Sequence, residues 1–136
     1  MSLVSVASSS DGKKMVGIKQ YGSIYTSVDA GATWTERTSS GQRYWQAVAM
    51  SADGAKMTAA NKDGYIYTST DAGVTWIERT SSGQRNWRAL AISTDGTKQY
   101  ALDAPTGYIY ASTNSGETWS AKTASGQKNW QAIATS

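Results

Sequence analysis

The chain of 136 residues contains no cysteine, no histidine and no phenylalanine, and it has a single proline. Without cysteine it has neither a disulfide framework nor a thiolate metal site. Without histidine it lacks the commonest metal ligand and the usual general base, so no conventional Ser-His-Asp triad can form. We therefore expect no cofactor, no bound metal and no catalytic residue, and the sequence predicts that the chain is not an enzyme.

Long apolar segments and concentrated charge are also missing. No run of residues is apolar enough to cross a membrane. The 13 basic and 10 acidic residues give a net charge of +3 that is spread along the chain, whereas nucleic-acid binding needs a concentrated basic stripe. Residues 1–4 lack the charged and apolar regions of a signal peptide. We expect no nucleic-acid partner and no membrane partner; the location stays open between an intracellular protein and a secreted parent.

Repetition with a period of 42 or 43 residues dominates what is present. Aligning residues 22–54 with residues 64–96 gives identity at 24 of 33 positions, so the two segments must share one fold. Two tryptophan series mark the period. They are Trp34, Trp76 and Trp119, and Trp45, Trp87 and Trp130.

Each repeat reads as four short strands. Apolar and β-branched residues fall in short runs that Gly and Asp-Gly turns interrupt, and no run has a sustained helical period. In the middle repeat we place strands A to D at residues 45–51, 56–61, 65–69 and 75–80. Four short antiparallel strands in about 42 residues match the blade of a β-propeller. The prediction is one all-β repeat domain, 1–136, with blades at 3–44, 45–86 and 87–129 and one extra strand at 130–136.

The most specific motif is Ser-x-Asp-x-Gly-x-Thr-Trp, which occurs three times between strands C and D. A short Asp or Asn side chain accepts backbone N–H bonds inside a tight turn, and Gly supplies an unusual backbone conformation. The Trp that follows buries a large ring. We expect these residues to be structural. They are Asp29, Gly31, Trp34, Asp71, Gly73, Trp76, Asn114, Gly116 and Trp119.

With these motifs the chain resembles the Asp-box, or BNR-repeat, propellers, which include sialidases, xyloglucan-degrading glycosidases, the sortilin ectodomain and photosystem II assembly factor-like proteins. The resemblance implies that the boxes lie at the C–D hairpins, opposite the usual binding rim. Sialidases also carry an arginine triad, an Arg-Ile-Pro segment and a Tyr–Glu pair. Pro105 does not stand in an Arg-Ile-Pro segment, so no catalytic residue carries over.

The rim opposite the boxes is the predicted ligand-binding rim. It is formed by the B–C turns, which vary most between repeats, and by the D–A connections, where a Gln and a cation precede each strand A Trp. The candidate residues are Gln42, Arg43, Trp45, Gln84, Arg85, Trp87, Gln127, Lys128 and Trp130. Under a structural alternative, the same Gln and Arg side chains bond neighbouring backbones and stack on the tryptophans.

Three blades leave open sheet faces, and residues 130–136 repeat strand A a fourth time. We expect a homo-oligomer, with a six-bladed two-fold dimer favoured over a nine-bladed trimer. The extra strand completes a blade of another copy or closes onto its own N-terminal region, or else the chain is a three-blade fragment of a longer propeller. Three functions stay open: a non-catalytic scaffold or interaction module, a lectin-like glycan binder, and a sialidase-like glycosidase fragment.

Overall fold

The computed structural model describes residues 2–128 and residue 133, and it arranges them as three four-stranded antiparallel sheets, each in chain order. We call the sheets blades 1, 2 and 3. Blade 1 contains β1 (Ser5–Ser8), β2 (Met15–Ile18), β3 (Ile24–Ser27) and β4 (Thr35–Arg37). Blade 2 contains β5 (Trp45–Met50), β6 (Met57–Asn61), β7 (Ile66–Ser69) and β8 (Ile77–Arg79). Blade 3 contains β9 (Trp87–Ile92), β10 (Gln99–Asp103), β11 (Ile109–Ser112) and β12 (Ser120–Lys122).

Strand alternation gives each blade two faces. In blade 2, Val48 is paired with Ala59, which is paired with Tyr67, so these side chains share the face that packs on blade 1. We call this the front face. The alternate residues, such as Ala60 and Ile66, form the back face and pack on blade 3. The first strands of successive blades contact one another, so the blades stack side by side.

The core therefore lies between the blades. Because both faces of blade 2 are covered, its central strands β6 and β7 are almost completely buried. Buried apolar side chains fill each interface. Stacking the blades thus buries apolar sheet faces that a single small sheet would leave in water. Between blades 1 and 2 they are Val16, Ile18, Ile24, Trp45, Val48, Met50, Met57, Ala59 and Tyr67. Between blades 2 and 3 they are Ala47, Ala60, Ile66, Trp87, Ala101, Tyr110 and Trp119.

One polar pair replaces an apolar pair between blades 2 and 3. The Thr58 hydroxyl lies 2.6 Å from Gln99 Oε1, and both residues are only 1% exposed. Gln99 Nε2 donates to the Gly96 carbonyl at 3.0 Å. The repeat-equivalent residues between blades 1 and 2 are Val16 and Met57, which lie in one apolar cluster. The two interfaces thus share one geometry with different chemistry.

The Ser-x-Asp turns lie between the third and fourth strands of each blade. In the first, Asp29 accepts hydrogen bonds from the Thr33 amide at 2.8 Å and the Thr33 hydroxyl at 2.6 Å. Ala30 and Gly31 both have positive φ, 59° and 86°, which explains why the second of them is glycine. In the third turn Asn114 accepts from the Thr118 amide at 3.0 Å. The acceptor oxygen alone therefore suffices to hold the backbone.

Two details differ from the strands expected from the sequence. The fourth strand of each blade has only three residues and continues into a 3-10 turn. In blades 1 and 2 a buried serine of that turn, Ser40 or Ser82, accepts a hydrogen bond from the backbone amide of Ile24 or Ile66. The turns are Thr38–Ser40, Thr80–Ser82 and Thr123–Ser125. The first strands of blades 2 and 3 are irregular in register near their tryptophans. The predicted extra strand at 130–136 lies, apart from residue 133, outside the described residues.

Candidate functional site

The B–C turns and the D–A connectors lie together on one rim, which we call the upper rim. Each connector forms a bridge to the B–C turn of the blade before it. The bridges join Gly22 to Arg43, Gly64 to Arg85, and Gly107 to Lys128. A buried connector serine supports this arrangement, since the Ile24 amide donates to Ser40 Oγ at 3.0 Å. The predicted candidate residues of the connectors are thus held at fixed positions.

The connector arginines are stacked on tyrosines of the following blade. The Arg43 guanidinium lies 4.6 Å from the Tyr67 ring centroid, and Arg43 Nε donates to the Ser40 carbonyl at 3.2 Å. Tyr67 also contacts Trp45 edge to face at 5.3 Å. Blade 3 repeats the set with Arg85, Tyr110 and Trp87. We call this set the Arg–Tyr–Trp stack.

Burial outweighs the stacked arginines in setting the pKa of the groups beside them. Burial and a 2.6 Å hydrogen bond to Glu78 raise the pKa of Tyr67 to about 12, against the opposing effect of Arg43. Tyr67 therefore remains a neutral donor at neutral pH. In blade 3, burial raises the pKa of Asp103, although Arg85 at 3.9 Å works in the opposite direction. The exposed arginine and the 3.9 Å separation make this a weak ion pair.

The cavity of interest lies at the upper rim of blade 1 and has a volume of about 520 Å³. Blade 1 has no Arg–Tyr–Trp stack: Lys19 lies 5.0 Å above the Tyr25 ring. We call this space the rim cavity. It is lined by Lys19, Tyr21, Gly22, Ser23, Tyr25, Glu36, Gln42, Arg43 and Tyr44.

Aromatic and hydrogen-bonding side chains make up most of the lining. Tyr21 is 73% exposed and packs edge to face on Tyr44, with ring centroids 4.5 Å apart. Gln20 bonds to the Tyr44 hydroxyl, and this contact fixes the second ring. Glu36 accepts from the Ser23 hydroxyl at 2.8 Å. An exposed ring beside several donors and acceptors is suited to a ligand that has both apolar faces and hydroxyl groups.

One buried donor beneath this region lacks a partner among the described residues. The Trp45 indole N–H is fully buried and makes no hydrogen bond, whereas the equivalent Trp87 donates to the Gly64 carbonyl at 2.9 Å. Gly22 stands where Gly64 stands in the next repeat, but its φ is 148°. The B–C turn of blade 1 therefore has a different backbone from its counterpart.

The predicted site residues separate by exposure. Gln42, Gln84 and Gln127 are exposed on the upper rim. Trp45 and Trp87 lie beneath the rim and are fully buried. Of the predicted residues, Gln42 and Arg43 line the rim cavity. Trp130 lies outside the described residues.

The sequence places the variable B–C turn that contains Lys19 and Tyr21 on the predicted rim, but the candidate residues named from it do not include several residues that line the cavity. They are Lys19, Tyr21, Ser23, Tyr25, Glu36 and Tyr44. The sequence feature that indicates the position of this cavity is the B–C turn of blade 1, where Tyr21 stands in place of Asp63 of the next repeat. A residue that departs from its repeat on a variable turn marks a difference in surface chemistry rather than in fold.

A smaller cavity of about 280 Å³ lies at the first turn of blade 3, next to Asp95. The Asp95 carboxylate is already occupied by the Thr97 amide at 3.0 Å and the Ser93 hydroxyl at 2.7 Å. These bonds lower its pKa to about 2. The Asp95 carboxylate beside this cavity is used within the turn, so it is poorly placed to bind a ligand.

No protein-family model and no curated protein matches the chain, but solved structures do. A GH74 enzyme from Niastella koreensis is 28% identical with a TM-score of 0.68, and the match covers 86% of this chain and 17% of that one. YCF48 from Cyanidioschyzon merolae is 22% identical with a TM-score of 0.71, covering 88% and 36%. The GH74 xyloglucanase from Xanthomonas campestris is 22% identical with a TM-score of 0.66, covering 88% and 18%.

These matches establish the fold. The chain has the fold of β-propeller blades, and it spans 17% to 36% of the length of the three proteins. The Asp-box resemblance itself rests on the motif.

The prediction that the chain is not an enzyme is wrong: the solved structures that share its fold include GH74 enzymes, so this fold is one that enzymes use. The physical reason is that glycoside hydrolysis uses carboxyl groups. The absence of histidine therefore does not exclude glycoside hydrolysis.

The described residues contain no cluster of three or more acidic side chains that could hold a metal ion. In the same part of the chain, no helix is long and apolar enough to span a membrane.

Proposed function

We propose that the chain is a propeller scaffold whose upper rim binds a carbohydrate, with a sugar ring seated in the rim cavity against Tyr21. The observation that carries the proposal is the 73% exposure of the Tyr21 ring at the mouth of a cavity of about 520 Å³. Burying a large aromatic ring is favourable, and the fold itself leaves the Tyr21 ring without that burial. A sugar face recovers that burial while its hydroxyl groups remain at the polar lining.

The lining supplies both halves of the hydrogen bonds that hydroxyl groups need. Lys19 offers N–H donors, Glu36 offers carboxylate acceptors, and the Gln42 amide offers one of each. Charged partners form the stronger bonds. A neutral, hydroxyl-rich ligand satisfies these groups together, and an ionic ligand would leave either Lys19 or Glu36 opposed by a like charge.

The neighbours support a glucan over a sialoside. One of them is a xyloglucanase, and the 28% identical neighbour is also a GH74 enzyme. Hydrolysis of a glycosidic bond takes two carboxyl groups, about 5–5.5 Å apart for retention and about 6.5–9.5 Å apart for inversion. Glu36 is one acid in the described cavity lining. We propose that this cavity binds substrate, with any cleavage depending on a second acid outside it.

The test is calorimetric titration of the chain with a xyloglucan oligosaccharide and with a sialylated oligosaccharide. We expect binding of the first, reduced about tenfold or more by Tyr21→Ala, which corresponds to about 1.4 kcal/mol. Tyr21→Phe is the matched control and should retain affinity, because it keeps the ring that stacks. Equal binding by Tyr21→Ala, or no binding by the unsubstituted chain, would contradict the proposal.

A further inference from the structure

The front face of blade 1 is open, whereas the front faces of blades 2 and 3 are covered by the blade before them. Val4 and Val6 on this side are 56% and 52% exposed. The equivalent of Val6 in blade 2 is Val48, which is 8% exposed. An apolar sheet face of this kind is ordinarily covered by another surface.

The residues that complete the same face elsewhere are also missing from blade 1. Tyr67 is covered by Arg43 and Trp45, and Tyr110 by Arg85 and Trp87. Blade 1 presents Tyr25 in the equivalent position, with Lys19 above its ring. Leu3 replaces the tryptophan, and its side chain reaches Gly17 instead.

The sequence itself carries one further copy of the missing residues. Lys128 and Trp130 have the spacing of Arg43 and Trp45, and residues 130–136 align with residues 3–9 without a gap. The connector that contains Lys128 is bridged to Gly107, just as the earlier connectors are bridged to their B–C turns. The third connector thus starts from the geometry that delivers the tryptophan in the first two interfaces.

We propose that a second copy of this chain packs its blade 3 on the open front face of blade 1. Its residues 130–136 pair with β2 in the place of β1, and its Trp130 and Lys128 complete an Arg–Tyr–Trp stack around Tyr25. The proposal is independent of carbohydrate binding. It adds residues of a second copy to the inner wall of the rim cavity, where Tyr25 lies, and leaves Tyr21 at the mouth.

Strand β1 is the weakest first strand of the three blades, which makes its replacement favourable. It has four residues where β5 and β9 have six. Its one valine, Val6, is 52% exposed, while the six residues from Trp45 to Met50 bury all but one side chain. A strand with Trp in place of Leu3 gains the ring contact that blades 2 and 3 show.

A second copy suits this face better than the same chain does. For its own residues 130–136 to reach β2, three blades would have to close a ring, and propellers close with about four to eight blades. Two copies related by a two-fold axis give six blades, and each copy covers the open face of the other.

The absence of cysteine from the chain allows a clean cross-linking test. Ser8 is paired with Met15 in the β1–β2 register, and residue 135 aligns with Ser8, so Met15→Cys and Thr135→Cys should lie directly opposite. Paired strand residues are about 4.5–5.5 Å apart between Cα atoms, which suits a disulfide. Combining Met15→Cys with Ala134→Cys is the matched control, because residue 134 would point to the other face.

After oxidation, we expect the first double variant to run at about twice the chain mass of 14.5 kDa on a non-reducing gel, and the control to remain at the single mass. Light scattering of the unsubstituted chain should give the dimer mass. Removing residues 129–136 should give a monomer, while removing residues 2–9 should leave the dimer. A monomeric unsubstituted chain, a disulfide within one chain, or a dimer that survives loss of residues 129–136 would overturn the proposal.

Discussion

Replacing Thr58 by Val tests how the blades are held together. The Thr58 hydroxyl donates to Gln99 Oε1 at 2.6 Å across the interface of blades 2 and 3, and both residues are 1% exposed. Valine has nearly the same shape but no hydroxyl. The Gln99 oxygen would therefore lose its hydrogen-bond donor at a buried position that water does not reach. Leaving a buried acceptor unpaired costs about 1–3 kcal/mol of unfolding free energy.

The repeat also supplies the compensating change. Val16 and Met57 occupy the equivalent positions between blades 1 and 2 and pack together in an apolar cluster. Combining Thr58→Val with Gln99→Met should therefore bring the unfolding free energy back to within about 1 kcal/mol of the original. Gln99→Met alone should also destabilise the chain, because it removes the partner of the Thr58 hydroxyl and of the Gly96 carbonyl.

Urea unfolding followed by tryptophan fluorescence measures all four chains, and a double-mutant cycle extracts the coupling between the two positions. A coupling of about 0.5–3 kcal/mol is expected for groups in one hydrogen bond. A neutral Thr58→Val, or a double variant that is no more stable than Thr58→Val, would refute the role assigned to this pair.

Two further predictions follow from the repeated turns and stacks. The Thr33 hydroxyl and amide, with the Ser27 hydroxyl, hold the pKa of Asp29 at about 2 against an ordinary value of 3.8. The stabilising effect of the Asp29 carboxylate is complete above about pH 4 and is lost as the pH falls towards 2. Acid unfolding of Asp29→Asn should therefore depend less on pH across that window, and an unchanged pH dependence would contradict this. Trp45→Phe should destabilise the chain by about 1 kcal/mol less than Trp87→Phe in thermal unfolding, because only the Trp87 indole makes a hydrogen bond, and equal losses would argue against that difference.

The sequence alone predicts the repeat, the four-stranded units and the turns, because these depend on local patterns. Asp-Gly turns, alternating apolar residues and the Ser-x-Asp turn recur at one period, and each acts within a few residues. The observed ends of the fourth strands differ from the predicted ends because of a contact between residues far apart in the sequence. The Ile24 amide donates to Ser40 Oγ, 16 residues away, in the 3-10 turn that follows the fourth strand.

The rim cavity is harder to predict because it depends on which residues cover the front face of blade 1. Tyr25 and Tyr67 stand at the same position in the repeat, but Tyr67 is 4% exposed and Tyr25 remains partly open. The difference lies in what precedes each blade and not in the residue itself. The sequence leaves Arg43 open between a structural role and ligand binding; in the structure its guanidinium is stacked on Tyr67 and the residue also lines the rim cavity.

The measurement that tests the proposed function most directly is a crystal structure of the chain with a bound xyloglucan oligosaccharide. We predict a sugar ring against Tyr21 at the mouth of the rim cavity, with hydroxyl groups within hydrogen-bond distance of Lys19, Glu36 or Gln42. A sugar bound at the opposite rim beside the Ser-x-Asp turns, or crystals in which the rim cavity stays free of sugar while the oligosaccharide binds elsewhere, would contradict it.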